Sequence, residues 1–175
     1  MPECCDAMLA YAYQAAAAGF AATGLELLPG VKELLSRLVE RDDVIVALVT
    51  GNLERIAWIK MKALGIEGSF TKPGIGGFGS DDTNRGALVR IARKRCAEKL
   101  GVEVRTAVHV GDTPNDVSAA EFGGAKAIAV TTGVFDAASL LNAAGDNKAN
   151  VTVMDGLTDV DAVLRACGLE PRVGA

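Results

Sequence analysis

The sequence predicts an α/β fold in which a parallel sheet is sandwiched between two layers of helices. Three observations lead there. Short apolar runs with strand propensity recur along the chain, and each is followed by a segment with helical spacing or composition. One run, Val44-Ile45-Val46-Ala47-Leu48-Val49, is apolar at every position. A strand apolar on both faces is what a parallel sheet covered by helices requires. Strands alternating with helices of this length point to right-handed βαβ units and a doubly wound sheet.

The elements follow in order. An alanine-rich stretch over 4–22 predicts a helix that closes near Gly24. Pro29 and Gly30 punctuate the chain before a second helix over 31–40, where Val31, Leu34, Leu35 and Leu38 repeat at helical spacing. The apolar run predicts a strand over 44–49, and a helix over 53–64 follows. A glycine-rich stretch over 74–79 leads to a helix over 86–100 and a strand over 107–110. Then come a helix over 114–122, a strand over 127–130, a helix over 137–143, a strand over 151–154 and a closing helix over 159–167. There is no internal repeat and no low-complexity tract.

Bulk composition narrows the function. A chain of 175 residues, half of them apolar and 23% charged, suits a single globular domain with a real core. A net charge of −4 supplies no basic patch, which argues against nucleic acid as a partner. No apolar run approaches the ~20 residues needed to span a bilayer, and the first residues lack the basic and apolar regions of a signal peptide. Four cysteines, at 4, 5, 96 and 167, show no zinc spacing and read as free thiols of a cytoplasmic protein.

In doubly wound sheets ligands gather beyond the carboxyl ends of the strands. The first such end is Thr50-Gly51-Asn52. Gly51 allows close backbone approach, exposed amides at a helix start attract anions, and the Thr50 hydroxyl can bond a phosphoryl oxygen. A plain turn with Asn52 as N-cap is the alternative. The second end is His109-Val110-Gly111-Asp112-Thr113-Pro114-Asn115-Asp116. Asp112 and Asp116 are two hard oxygen ligands spaced to face one crevice, the usual demand of Mg²⁺. Its alternative is a capping box, with Thr113 as N-cap and Asp116 reaching back. Arg85 opens the helix before that strand, where a fixed cation can hold a phosphoryl group; a solvated helix-start arginine is the other reading. His109, the single histidine, reads as packed or hydrogen-bonded within its strand.

Taken together, these segments resemble the haloacid dehalogenase superfamily, especially its phosphoglycolate-phosphatase-like members. Leu27-Leu28-Pro29-Gly30-Val31-Lys32-Glu33-Leu34-Leu35 resembles the lead-in that follows that family's helical cap. Val49-Thr50-Gly51-Asn52 is similar to its second motif and Val110-Gly111-Asp112-Thr113-Pro114-Asn115-Asp116 to its fourth. Gly123-Gly124-Ala125 through Val130-Thr131-Thr132-Gly133 resembles the segment that follows. The resemblance covers residues 25–165 and implies a three-layer Rossmann-like core over 26–175, with 1–25 as a remnant of the cap and linker.

The resemblance also implies roles. Thr50, with Gly51, Asn52 and Arg85, would bind the phosphoryl group, and Asp112 and Asp116 would hold Mg²⁺. Thr50, Arg85 and Asp112 would make up the catalytic set. Lys72-Pro73 is similar to the common third motif but lies too far upstream of Gly111, so Arg85 takes that place. The implied reaction is hydrolysis of a small phosphorylated metabolite through an aspartyl-phosphate. The fourth motif argues against true dehalogenases, which need no metal.

One departure outweighs the others. The family begins with an apolar strand ending in Asp-x-Asp-x-Thr or Val, which carries the nucleophile, and no apolar strand here ends that way. That strand sits mid-sheet, between those ending at Thr50 and Gly111. Without it the two must pair directly, leave a gap, or accept a strand from elsewhere, even from another copy. The expectation is therefore a truncated hydrolase with little activity of its own. A non-catalytic phosphate- or protein-binding module of the same fold is the competing reading.

Overall fold

The computed structural model describes Met8 and residues 25–170. The helix expected over 4–22 and the cap remnant assigned to 1–25 therefore lie almost wholly outside the described residues; Met8 itself is helical and exposed.

Helix α1 spans Val31–Val39, and strand β1 spans Leu48–Thr50. Helix α2 is Glu54–Ala63, strand β2 Gly76–Phe78 and helix α3 Arg85–Leu100. Strand β3 is Val108–Gly111, helix α4 Pro114–Gly123 and strand β4 Lys126–Val130. Helix α5, Ala137–Asn142, strand β5, Val151–Met154, and helix α6, Val160–Ala166, complete the order. Parallel strands flanked by helices are what the alternation predicts.

The strands form two parallel ladders. β1 pairs with β2, and β3, β4 and β5 pair in that order. β1 and β3 do not pair with each other, and among the described residues no strand joins the two ladders. Val110 of β3 is 39% exposed although apolar, so this end of the larger ladder is incompletely covered.

β4 shows why the larger ladder is stable. Alternate residues of a strand face opposite sides, and Ile128 and Val130 pack with Leu34, Val160, Val163 and Leu164. Ala127 and Ala129 pack on the other side with Val117, Ala120, Leu140 and Ala144. Both faces are apolar and both are covered, as a central parallel strand requires.

Helix α3 holds the two ladders together. On one side Arg95 Nη1 donates to Gly76 O of β2 at 2.9 Å, and its guanidinium engages both carboxylate oxygens of Asp81 at 2.7 and 2.8 Å. On the other side Arg90 lies 3.9 Å from the centroid of Phe122 and donates to Phe122 O at 2.8 and 3.0 Å. Arg93 Nη1 donates to Gly124 O at 2.9 Å, satisfying a carbonyl at the end of α4.

One strand expectation needs correction, and one strand was not expected. The strand expected over 44–49 is paired only at Leu48–Thr50. Upstream, the Val46 amide donates to Thr71 Oγ1 at 2.9 Å and the Thr71 amide to Val46 O at 3.0 Å. The apolar run outlasts its ladder partner among the described residues, which is three residues long. That partner, β2, falls inside the glycine-rich stretch over 74–79, where no strand was expected. All three of its residues are buried. A Cβ at Gly77 would sit 2.1 Å from Leu88 O, so glycine is required by the close passage of α3.

This contact predicts that Gly77→Ala destabilises the fold by roughly 2 kcal/mol, because the clashing atom is helix backbone and cannot rotate away. Urea unfolding should show a lower midpoint with an unchanged slope.

Candidate functional site

Thr50 ends β1, and the Gly51-Asn52 turn carries the chain into α2. The Thr50 hydroxyl oxygen accepts from the Asn52 amide at 3.2 Å and from Asn52 Nδ2 at 2.9 Å. Lys60 of α2 then donates from Nζ to Asn52 Oδ1 at 3.1 Å. The glycine-rich run ends by docking on this turn, where the Gly79 amide donates to Asn52 O at 2.9 Å. Asn52 is therefore not the N-cap of α2; Leu53 occupies that position, with no side-chain cap bond.

Arg85 is the first residue of α3, whose N-cap Asn84 accepts from Gly86 N and Ala87 N. Its guanidinium reaches across both strand ends. Nη1 lies 2.6 Å from Asp116 Oδ1, and Nε and Nη2 lie 3.9 Å from the point a Gly51 Cβ would occupy. The turn after β1 and the start of α4 thus share one cation. Lys72 is elsewhere: it follows Thr71, which bonds Val46 ahead of β1, at the opposite end of that strand.

Asp116 is heavily engaged. The Thr113 amide donates to its Oδ2 at 3.2 Å and the Thr113 hydroxyl at 2.7 Å, while the Asp116 amide returns a bond to Thr113 Oγ1 at 3.2 Å. This is the capping box that the sequence offered as the alternative reading. His109 is packed within β3 with Nε2 3.7 Å from Asp116 Oδ1, longer than a hydrogen bond. Burial alone would raise the Asp116 pKa. The approach of His109, the Thr113 bonds and the Arg85 charge outweigh it and hold the carboxyl at about 2. Asp116 is therefore an anion at any physiological pH.

Asp112 differs. Among the described residues its carboxylate has no hydrogen-bond or ion-pair partner, and it lies against Gly133, where a Cβ would come within 2.6 Å of Oδ2. It is the open oxygen donor of the site. Asp116 keeps some capacity too: a carboxylate has about four acceptor positions, and Arg85 and Thr113 fill only three. No cluster of three or more acidic, histidine or cysteine side chains able to hold a metal occurs among the described residues. A hard cation that keeps most of its waters needs only one or two carboxylates.

Two further features bear on the chemistry. The letters Asp159-Val160-Asp161-Ala162-Val163 match the Asp-x-Asp-x-Val pattern but open a helix rather than end a strand. Asp159 caps α6 by accepting from Ala162 N at 2.9 Å, and Asp161 pairs with Arg37 at 3.1 Å. Neither supplies a strand-end nucleophile. No helix among the described residues is long and apolar enough to cross a membrane.

Lys60 is the participant that sequence reasoning missed. Its signal was a spacing of eight from Asn52, about two helical turns, and that spacing is common enough in any helix to pass unnoticed.

A family model described as haloacid dehalogenase-like hydrolase matches residues 4–124, a stretch that contains Thr50, Arg85, Asp112 and Asp116. A phosphoglycolate phosphatase from Chromobacterium violaceum is 32% identical over 112 residues, 64% of this chain and 48% of that protein. The chain thus spans about half the length of this curated relative. Among solved structures, a haloacid dehalogenase-like family hydrolase from Streptococcus pneumoniae superposes with a TM-score of 0.61 at 22% identity, covering 79% of this chain and 60% of that one. At that identity the likeness concerns the fold.

The environment of Asp116 sets a pH signature. Its folded-state pKa is depressed from 3.8 to about 2, so its stabilising share is present above pH ~4 and is lost as pH falls toward 2. The stability gap between the protein and Asp116→Asn should be widest near neutrality, at roughly 2 kcal/mol, and should close through that window. Acid titration followed by circular dichroism reads both.

Proposed function

The chain belongs to the haloacid dehalogenase-like hydrolase family, and from that premise we propose that it is the core of a Mg²⁺-assisted phosphatase acting on a small phosphorylated metabolite. The observation that carries this reading is the single guanidinium, Arg85, serving the ends of two separate strands. A fixed cation, a hydroxyl and a glycine turn around one point make a cradle for a doubly charged phosphoryl group.

Each residue has a task. Thr50 donates its hydroxyl hydrogen to a phosphoryl oxygen, with the Gly51 and Asn52 backbone alongside. Arg85 balances the charge that grows as the ester bond breaks. Asp112 holds Mg²⁺, with Asp116 as the second carboxylate. The ion, when bound, neutralises the phosphoryl oxygens and orients them. Asp116 also anchors Arg85, so the cation and the metal site are set by one side chain. The free thiols Cys96 and Cys167 fit a reducing, cytoplasmic setting. The relative's name, phosphoglycolate phosphatase, agrees with a small phosphorylated substrate.

Turnover by this chain alone is proposed to be slight, because no described strand ends in the Asp-x-Asp pair. Losing a catalytic nucleophile in other enzymes costs on the order of 10⁶ in rate. The same feature favours a second reading, a non-catalytic module that binds phosphate through the surviving cradle.

Release of p-nitrophenol from p-nitrophenyl phosphate by the purified chain with Mg²⁺ should stay near background. Robust turnover abolished by Asp112→Ala would contradict the inactivity and reveal a nucleophile supplied from these residues. Calorimetry with Mg²⁺ and phosphate should detect binding that Arg85→Ala removes.

A further inference from the structure

We propose that Lys60 is a positioning residue for the anion site, aiming the Thr50 hydroxyl at its ligand by fixing the orientation of the Asn52 amide. The inference rests on the reading of Thr50 as a phosphoryl ligand and adds a residue to it.

A hydroxyl has one hydrogen to give and two positions at which to accept. Thr50 Oγ1 accepts twice, from the Asn52 amide at 3.2 Å and from Asn52 Nδ2 at 2.9 Å. Its own hydrogen has no acceptor among the described residues, and Arg85 Nε and Nη2 lie 3.9 Å from where a Cβ on the next residue, Gly51, would sit. A hydrogen left free beside a fixed cation is directed to an anion.

That outcome depends on which way the Asn52 amide points. With Oδ1 toward Thr50, the hydroxyl would spend its hydrogen on Asn52 and have none for a ligand. Lys60 decides between the two. An ammonium only donates, and with Nζ 3.1 Å from the Asn52 side chain it accepts the carbonyl end alone as a neighbour. Nδ2 is thereby turned to Thr50. Lys60 sits on α2 two turns past Asn52, and long helical side chains lean toward the helix start, which brings Nζ back over the turn.

A double-mutant cycle tests this with the isotope-labelled chain, Mg²⁺ and inorganic phosphate, with affinity followed by NMR. Lys60→Met should weaken phosphate binding roughly tenfold, the size of one hydrogen bond to a charged group. In a Thr50→Val background the same change should cost nothing further, because no hydroxyl is left to aim. Lys60→Arg keeps a donor for Oδ1 and should restore most of the affinity. The Asn52 side-chain amide resonances should move in Lys60→Met and stay near their original positions in Lys60→Arg. Equal losses in both backgrounds, or no loss in either, would overturn the role given to Lys60 and leave the cradle standing. Absence of phosphate binding by the unmodified chain would overturn the cradle and this role with it.

Discussion

The ion pair between Arg85 and Asp116 is the interaction on which the rest of the site depends. At 2.6 Å it joins the start of α3 to the first turn of α4, and so ties the region of the smaller ladder to that of the larger one. β1 and β3 share no hydrogen bonds, and among the described residues helix α3 and this contact both link the regions around their ends. As a stabiliser the pair is modest, about 1 kcal/mol, since the arginine is 43% exposed. Its larger effect is geometric, because it fixes a cation where two strand ends converge.

Asp116 illustrates how a structural and a functional reading coexist. The capping box and the proposed metal role are not alternatives in this fold. Thr113 and Arg85 leave one acceptor position on the carboxylate, and the same bonds that cap α4 keep it ionised. A carboxylate used in this way arrives at the site already oriented, which lowers the cost of ordering it around an ion. Asp112 contributes the opposite quality, an oxygen donor with no competing partner. One pre-committed and one open carboxylate make a site that is rigid on one side and receptive on the other.

Much of this architecture was legible in the sequence because its causes are local. The helices α1, α2, α3 and α4 begin and end within one residue of the expected spans 31–40, 53–64, 86–100 and 114–122. Thr50 and Asp112 stood out because each follows an apolar run, and Asp116 because it lies four residues on, in the first turn of α4. β2 was not legible, since Gly76 and Gly77 carry no strand propensity and owe their place to the backbone of α3 and of β1. The early end of β1 was equally hidden, because strand length is set by the partner and not by the apolar run itself. Lys60 was missed for a related reason: its importance comes from what the Asn52 amide must do and not from any pattern of its own.

In the proposed reading the two strand ends serve one ligand. The most direct measurement is a titration of the labelled chain with phosphate and Mg²⁺, following the backbone amides of 50–52 and 111–113 together. Both groups should shift along one binding curve with a single dissociation constant. Movement of one group alone, or two curves with distinct constants, would contradict that reading.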